Sequence, residues 1–368
     1  MTEQYFMPTH VVVGEGCVRE NGALLREIGQ KAFVVTGAHS AKACGALDDV
    51  TAALEAAGCT WTLFDGVMAN PTIACAYAGA EKARACGADF VLAIGGGSPM
   101  DAGKAIALLA KNPDLPEERL FSGQYPCGAL PIVCVPTTAG TGSEVTKASI
   151  LTNDRAQTKS SISHPVIFPR LSFVDGRYTW GLPLSTTINT AIDALSHAAE
   201  GMLSCKAGAL SDCLAKEALA RIAACFPALE QGSLTPSQRQ SLLIASTEAG
   251  MVIANTGTTA VHGMGYSLTY FQHIDHGRAN GLLFAAFLDW MQPKAPDRVG
   301  EVLKCLGFDT VEALRREFAT LLGAPEPLSA EQAHQYAAIA VQSKNLANCL
   351  VVPDQAALEA IYRKSFGL

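Results

Sequence analysis

At 368 residues the chain is too long for one small core and points to two domains of about 150 residues each. With 49% hydrophobic and 17% charged residues it reads as a well-packed globular protein without a disordered tail. A net charge of −7 with no basic run argues against a nucleic-acid partner. No apolar run reaches the ~18 residues that span a bilayer, and the opening MTEQYFMPTHVVVGEG is unlike a signal peptide, so no membrane partner and a cytoplasmic location are expected.

In chain order, HVVVG (10–14) and AFVVTG (32–37) are short β-branched runs that end in glycine. A helical stretch, LDDVTAALEAAG (47–58), leads to the strand-like TWTLFDGV (60–67). A second helix, TIACAYAGAEKARACG (72–87), leads to the strand DFVLAIGGG (89–97). A helix after Pro99 then precedes ALPIVCVPTT (129–138). Strands alternating with helices predict an α/β domain with a doubly wound parallel sheet over residues 1–181. Ligands of such sheets lie at the carboxyl ends of the strands, where TGAHS, GGGSP and PTTAGTGSEVT fall. From LPLS (182–185), the candidate linker, the texture changes. The stretches 186–203, 211–230 and 238–255 are long, Ala- and Leu-rich and helically periodic, which predicts an all-α second domain over 182–368.

The twelve cysteines contain no Cys-x2-Cys pair and most sit among alanines and aliphatics, so free buried thiols in a reducing compartment are expected.

The turn after DFVLAI is the first candidate site. Ser98 suits an N-cap, Pro99 the first helical position, and Asp101 completes a Ser-x-x-Asp capping box. Plain helix initiation explains those residues but not three glycines. Gly95, Gly96 and Gly97 remove every Cβ where a backbone would approach an anion, and the following helix points free N–H groups at the same place. The spacing is not GxGxxG, so locally the phosphate reading and the plain turn both stand.

The helical half holds a sharper pattern. Asp193 and His197 are four apart on one helix face, and His262, His273 and His276 fall within fifteen residues. A carboxylate and imidazoles suit iron or zinc; the alternative is a local helix pair plus surface histidines. A phosphate-binding sheet followed by a metal-bearing helical domain suggests hydride transfer, the metal polarising an alcohol or carbonyl oxygen beside a nicotinamide.

In the motifs GGGSPMDAGKA, PTTAGTGSEVT, DALSHAAEG and VHGMGYSL…HGRANG, in this order, the chain resembles the iron-containing (group III) alcohol dehydrogenases over nearly its whole length. The resemblance implies a dehydroquinate synthase-like two-domain architecture. The implied activity is a metal-dependent oxidoreductase acting on short-chain primary alcohols or aldehydes. It also implies a homodimer. By position, Asp193, His197, His262 and His276 would be the metal ligands and catalytic centre, with Fe2+, or Zn2+ in its place; His273 matches no ligand. Gly96, Gly97 and Ser98 would hold the pyrophosphate, Asp101 would lie close to the cofactor, and Thr137 and Thr138 would line the nucleotide cleft. Thr146, Lys159 and Leu182 match flanking positions, and Asn70 matches an asparagine on the adenosine side.

Two departures stand out. Tyr266 takes the place where some members carry a histidine near the substrate. NAD-preferring relatives can carry an aspartate after the second strand, where Gly37 stands here, followed by Ala38, His39 and Ser40. With no carboxylate to repel a 2′-phosphate, and with Ser40, Lys42 and His39 near, NADP(H) is expected over NAD(H). Competing readings are a glycerol dehydrogenase or dehydroquinate-synthase-like lyase of the same fold, which the threonine-rich motif and DALSH fit less well, and a non-catalytic nucleotide-binding module. The intact ligand set speaks against the last.

Overall fold

The structure, a computed structural model, describes residues 3–368. It divides into two compact units between Leu182 and Pro183, with residues 3–6 grouping with the second.

In the first unit the strands are β1 (His10–Val13), β2 (Lys31–Thr36), β3 (Thr60–Phe64), β4 (Phe90–Gly95), β5 (Ile132–Pro136), β6 (Ala148–Asn153), β7 (Thr158–Ser163) and β8 (Leu171–Val174). Six of them form a parallel sheet in the order β1-β8-β5-β4-β2-β3. The central strands β4 and β5 are buried and non-polar at every position because both faces are covered. Phe33, Val35, Val91, Ala93 and Cys134 face the helices Ile73–Ala85 and Gly97–Lys111, while Ala32, Val34, Leu92, Ile94, Val133 and Val135 face the helix Ala46–Ala56. The chain steps outward from β2 to β3 and then returns to the other side of β2 as β4, so the order reverses between β2 and β4. Thr36 pairs with Ile94 and Gly95 with Pro136, which brings the turns after β2, β4 and β5 to one edge at this switch point.

The pair β6 and β7 forms a separate antiparallel hairpin that sequence periodicity did not indicate. Its residues, ASILTN and TKSSIS, are mostly polar and half-exposed, so neither an apolar run nor a clean alternation marks them.

The second unit runs as helices from Leu184–Met202 to Gln355–Phe366. The helix Pro236–Thr256 starts at a capping box, with the Gln238 N–H donating to Thr235 Oγ1 and the Thr235 N–H to Gln238 Oε1. Among the described residues no helix is long and apolar enough to cross a membrane. All twelve cysteines are free, and Cys127, Cys205 and Cys213 are exposed.

Candidate functional site

In the second unit, Asp193 and His197 lie on the helix Leu184–Met202, His262 on Ala260–Gln272, and His276 opens the helix His276–Met291. The first helix is buried along most of its length, so Asp193 and His197 sit inside the bundle. Glycines let the helices meet. A Cβ on Gly277 would lie 1.9 Å from the Asn189 carbonyl oxygen and 2.9 Å from the Asp193 Cβ, so no other residue there permits His276 to stand beside Asp193.

Asp193, His262 and His276 each offer one ligand atom, all within 4.8 Å of one another. His262 Nε2 lies 3.6 Å and His276 Nε2 3.9 Å from Asp193 Oδ1. The His197 ring stacks on His262 with centroids 4.5 Å apart, beside that group of three atoms rather than within it. Tyr266 stacks on His276 at 5.5 Å. His273 is exposed, caps its helix in the left-handed conformation (φ 56°) and stays outside the cluster.

Glu200, which sequence reasoning did not single out, is the buried partner of this cluster. Its Oε2 pairs with His262 Nδ1, and its Oε1 accepts from the Thr259 N–H at 2.9 Å and the Thr259 hydroxyl at 2.6 Å. Burial alone would lower His262, yet Glu200 and Asp193 raise it to about 9. Burial would likewise raise Asp193, but His197, His276 and His262 hold it well below the usual carboxylate range. The Glu200 contact keeps a proton on Nδ1 and turns Nε2, the other ring nitrogen, toward Asp193. A carboxylate oxygen and two imidazole nitrogens at this spacing, one ring held by a buried carboxylate, fit an iron or zinc ion. The glutamate had one sequence signal: positions 193, 197 and 200 share one face of an apolar helix.

In the first unit the glycines meet a crowded loop. A Cβ on Gly96 would lie 2.9 Å from Thr138 Oγ1, and one on Gly97 2.8 Å from Thr141 Cγ2. Close packing of the threonine-rich loop therefore requires these glycines whether or not an anion binds. The expected capping box is not formed. The helix runs Gly97–Lys111 with Gly96 as N-cap and no side-chain cap, and Ser98 Oγ accepts from the Asn70 N–H at 3.1 Å. Asp101 reaches sideways: Oδ1 accepts from the Ser143 hydroxyl at 2.7 Å and Oδ2 from the Ile150 N–H at 3.0 Å. Fully buried Lys104 donates to Ser143 Oγ, Thr146 Oγ1 and the Ala148 carbonyl at 2.8, 3.1 and 2.8 Å.

Thr146 is thus buried in the lysine's network, while buried Thr137 donates its N–H to the Gly95 carbonyl at 2.9 Å and Thr138 faces Gly96. Lys159, on the hairpin, donates to Asn70 Oδ1 at 2.8 Å, and Asn70 is left-handed (φ 56°). Asn70, Ser98 and Lys159 therefore form one cluster at the glycine turn. Gly37 and exposed Ser40 follow β2; His39 is the N-cap there and makes no side-chain cap. Leu182 ends the unit, its N–H donating to the Thr179 carbonyl.

Residues 8–176 match the family model of iron-containing alcohol dehydrogenases, and residues 187–366 match the model of that family's C-terminal domain. The lactaldehyde reductase of Escherichia coli (strain K12) is 34% identical over 300 residues, 80% of this chain and 77% of the relative. The chain belongs to the iron-containing alcohol dehydrogenase family. The solved structure of an iron-containing alcohol dehydrogenase from Thermotoga maritima superposes with a TM-score of 0.93 over 100% of both chains at 36% identity. A sulfoacetaldehyde reductase from Bifidobacterium kashiwanohense, solved in complex with NAD+, gives 0.88 over 99% of this chain and 98% of that one at 29% identity. Like its family, the protein is a metal-dependent alcohol/aldehyde oxidoreductase that uses a nicotinamide cofactor.

Proposed function

We propose that the chain moves a hydride between NADP(H), in preference to NAD(H), and a short-chain primary alcohol or its aldehyde. The metal is iron, with zinc as a substitute, held by Asp193, His197, His262 and His276. One observation carries the metal reading: three donor atoms from three helices lie within 4.8 Å, with the far nitrogen of His262 tied to buried Glu200. Surface histidines in a chance group would have no such buried partner. When bound, the cation would supply Lewis acidity to the alcohol or carbonyl oxygen.

The chain's own residues do the rest. Asp193 brings a full negative charge that offsets the cation's, and Glu200 keeps His262 in the tautomer whose Nε2 is free to ligate. In the first unit the backbone N–H groups of Gly97 and Ser98 open a helix and suit a pyrophosphate. Lys159 beside Asn70 adds positive charge at that turn. The likeness to lactaldehyde reductase favours a small oxygenated aldehyde as substrate.

Preference for NADP(H) rests on the absent carboxylate after β2: Gly37 is followed by Ala38, His39, Ser40 and Lys42 in an exposed turn. The sulfoacetaldehyde reductase structure holds NAD+, so the preference belongs to this turn and not to the family. We further propose a cytoplasmic homodimer, which sedimentation at several concentrations would test. Elemental analysis of a His276→Ala variant tests the site: bound metal should fall sharply, and full occupancy would refute the ligand assignment.

A further inference from the structure

Lys104 is a charged residue in the middle of an apolar helix. It lies on Gly97–Lys111 and is wholly buried, as are its chain neighbours from Ala102 to Leu109. A buried charge adds little to stability, and an apolar side chain of similar volume commonly serves as well or better. What the ammonium holds must therefore account for it. Its three protons meet three acceptors: Ser143 Oγ, Thr146 Oγ1 and the Ala148 carbonyl.

Two of these contacts begin paths that return to the glycine turn. Ser143 passes its own hydroxyl proton to Asp101 Oδ1 at 2.7 Å and donates its N–H to Thr141 Oγ1 at 3.3 Å. Thr141 is the residue whose Cγ2 a Cβ on Gly97 would meet. Ala148, for its part, begins β6. Further along that strand Thr152 donates its N–H to the Pro71 carbonyl at 2.9 Å and its hydroxyl to the Asn70 carbonyl at 3.0 Å. Opposite Thr152 on β7 stands Lys159, which donates to Asn70 Oδ1, and the Asn70 N–H donates to Ser98 Oγ. Both paths end at Gly97 and Ser98, two turns before Lys104 on its own helix.

Resting on the reading of this turn as the pyrophosphate site, we infer that Lys104 is a positioning residue for the nicotinamide cofactor. Being wholly buried, it acts through these groups and not on the ligand. It fixes the threonine-rich loop and the hairpin that carries Lys159, so that the anion meets N–H groups and a positive charge already in place.

Two variants of the full chain separate this role from charge balance. Lys104→Met removes the ammonium and leaves the Asp101 charge buried without it. The double variant Lys104→Met with Asp101→Asn removes one charge of each sign. Its carboxamide can donate to Ser143 Oγ, vacated by the lysine, and accept from the Ile150 N–H, while Thr146 and Ala148 stay without their donor. Urea unfolding gives the stability of each protein. Nucleotide fluorescence gives the Kd for whichever of NADPH and NADH the wild type binds more tightly. Both variants should bind it about 10-fold or more weakly, and the double variant should regain most of the stability that Lys104→Met loses. Wild-type affinity in either folded variant would overturn the inference. So would affinity that simply follows stability across the three proteins, because a lysine that only balances charge is dispensable once Asp101 is neutral. If Lys104→Met does not fold, the double variant decides alone by its affinity. A wild type that binds neither nucleotide would instead sink the cofactor reading, and this inference with it.

Discussion

Glu200 decides which nitrogen of His262 can meet a metal. As a carboxylate it accepts a hydrogen bond from Nδ1–H, so that in the neutral ring Nε2 is the lone-pair nitrogen. In Glu200→Gln, Oε1 can still accept from Thr259, but the amide NH2 then faces Nδ1. His262 must move its proton to Nε2, the atom turned toward Asp193. The variant should keep its helical circular dichroism and lose about 10- to 100-fold in Zn2+ affinity by calorimetry. Unchanged affinity would show that Glu200 only fills space. Asp101 poses a comparable question in the other unit. The sequence suggests a cap with a cofactor-side charge, but both of its oxygens accept hydrogen bonds from residues 143–150. Asp101→Asn puts an NH2 against one of those donors and should cost about 1 to 3 kcal/mol in chemical denaturation. A loss of cofactor affinity with full stability would return Asp101 to the cofactor role alone. Asp193, His262 and His276 were legible from spacing because histidine is scarce and small residues surround it. The role of Asp101 was not, because its partners lie more than forty positions away in the chain.

Among the elements, β2, β4 and β5 could be read because burial makes them largely apolar, whereas β8, β6 and β7 were not marked in the sequence, the last two being mostly polar. The capping box at Ser98 was misread for a related reason. Local pattern shows what a residue can do, but the hydroxyl is engaged by Asn70 from a distant loop. Two predictions belong to helix packing. Gly277→Ala drives a Cβ into the Asn189 carbonyl, so the helices Leu184–Met202 and His276–Met291 must part just where Asp193 meets His276. Stability should fall by about 1 to 3 kcal/mol, and bound metal should fall with it in elemental analysis. Full occupancy with unchanged melting would contradict this packing account.

The second concerns Glu248, on Pro236–Thr256, packed against Ala209–Ala223. Burial, aided by Glu217 and only partly opposed by Arg221, raises its carboxyl to about 7. A carboxyl raised on folding costs nothing at pH 4, where it is protonated in both states. The cost grows between its unfolded value and about pH 7 and is complete above that. Glu248→Gln should therefore leave stability unchanged at pH 4 and raise it by about 2 kcal/mol at pH 8. Equal effects at both pH values in urea titrations would rule out this origin.

On the scale of the whole molecule, both units match models of one family, and the proposed NADP(H) preference rests on the turn after β2. Gly37→Asp should shift the ratio of kcat/KM for NADPH over NADH toward NADH by roughly tenfold or more, since a carboxylate there repels the 2′-phosphate. A wild type with a clear advantage for NADH would show that the missing carboxylate does not set the preference. Hydrophobic periodicity changes near Leu182, from short runs to long helical stretches, and the two compact units divide between Leu182 and Pro183. The grouping of residues 3–6 with the helical unit was not legible in the sequence, because it rests on contacts such as the Phe6 N–H donating to Asn255 Oδ1.

The central claim is that turnover requires a divalent metal held in the helical unit. Chelator-treated protein should be assayed for aldehyde-dependent loss of nicotinamide absorbance while Fe2+ or Zn2+ is added back anaerobically. The account predicts negligible activity without metal and a linear recovery that ends at one equivalent per chain. Full activity in protein shown by elemental analysis to be metal-free would contradict it.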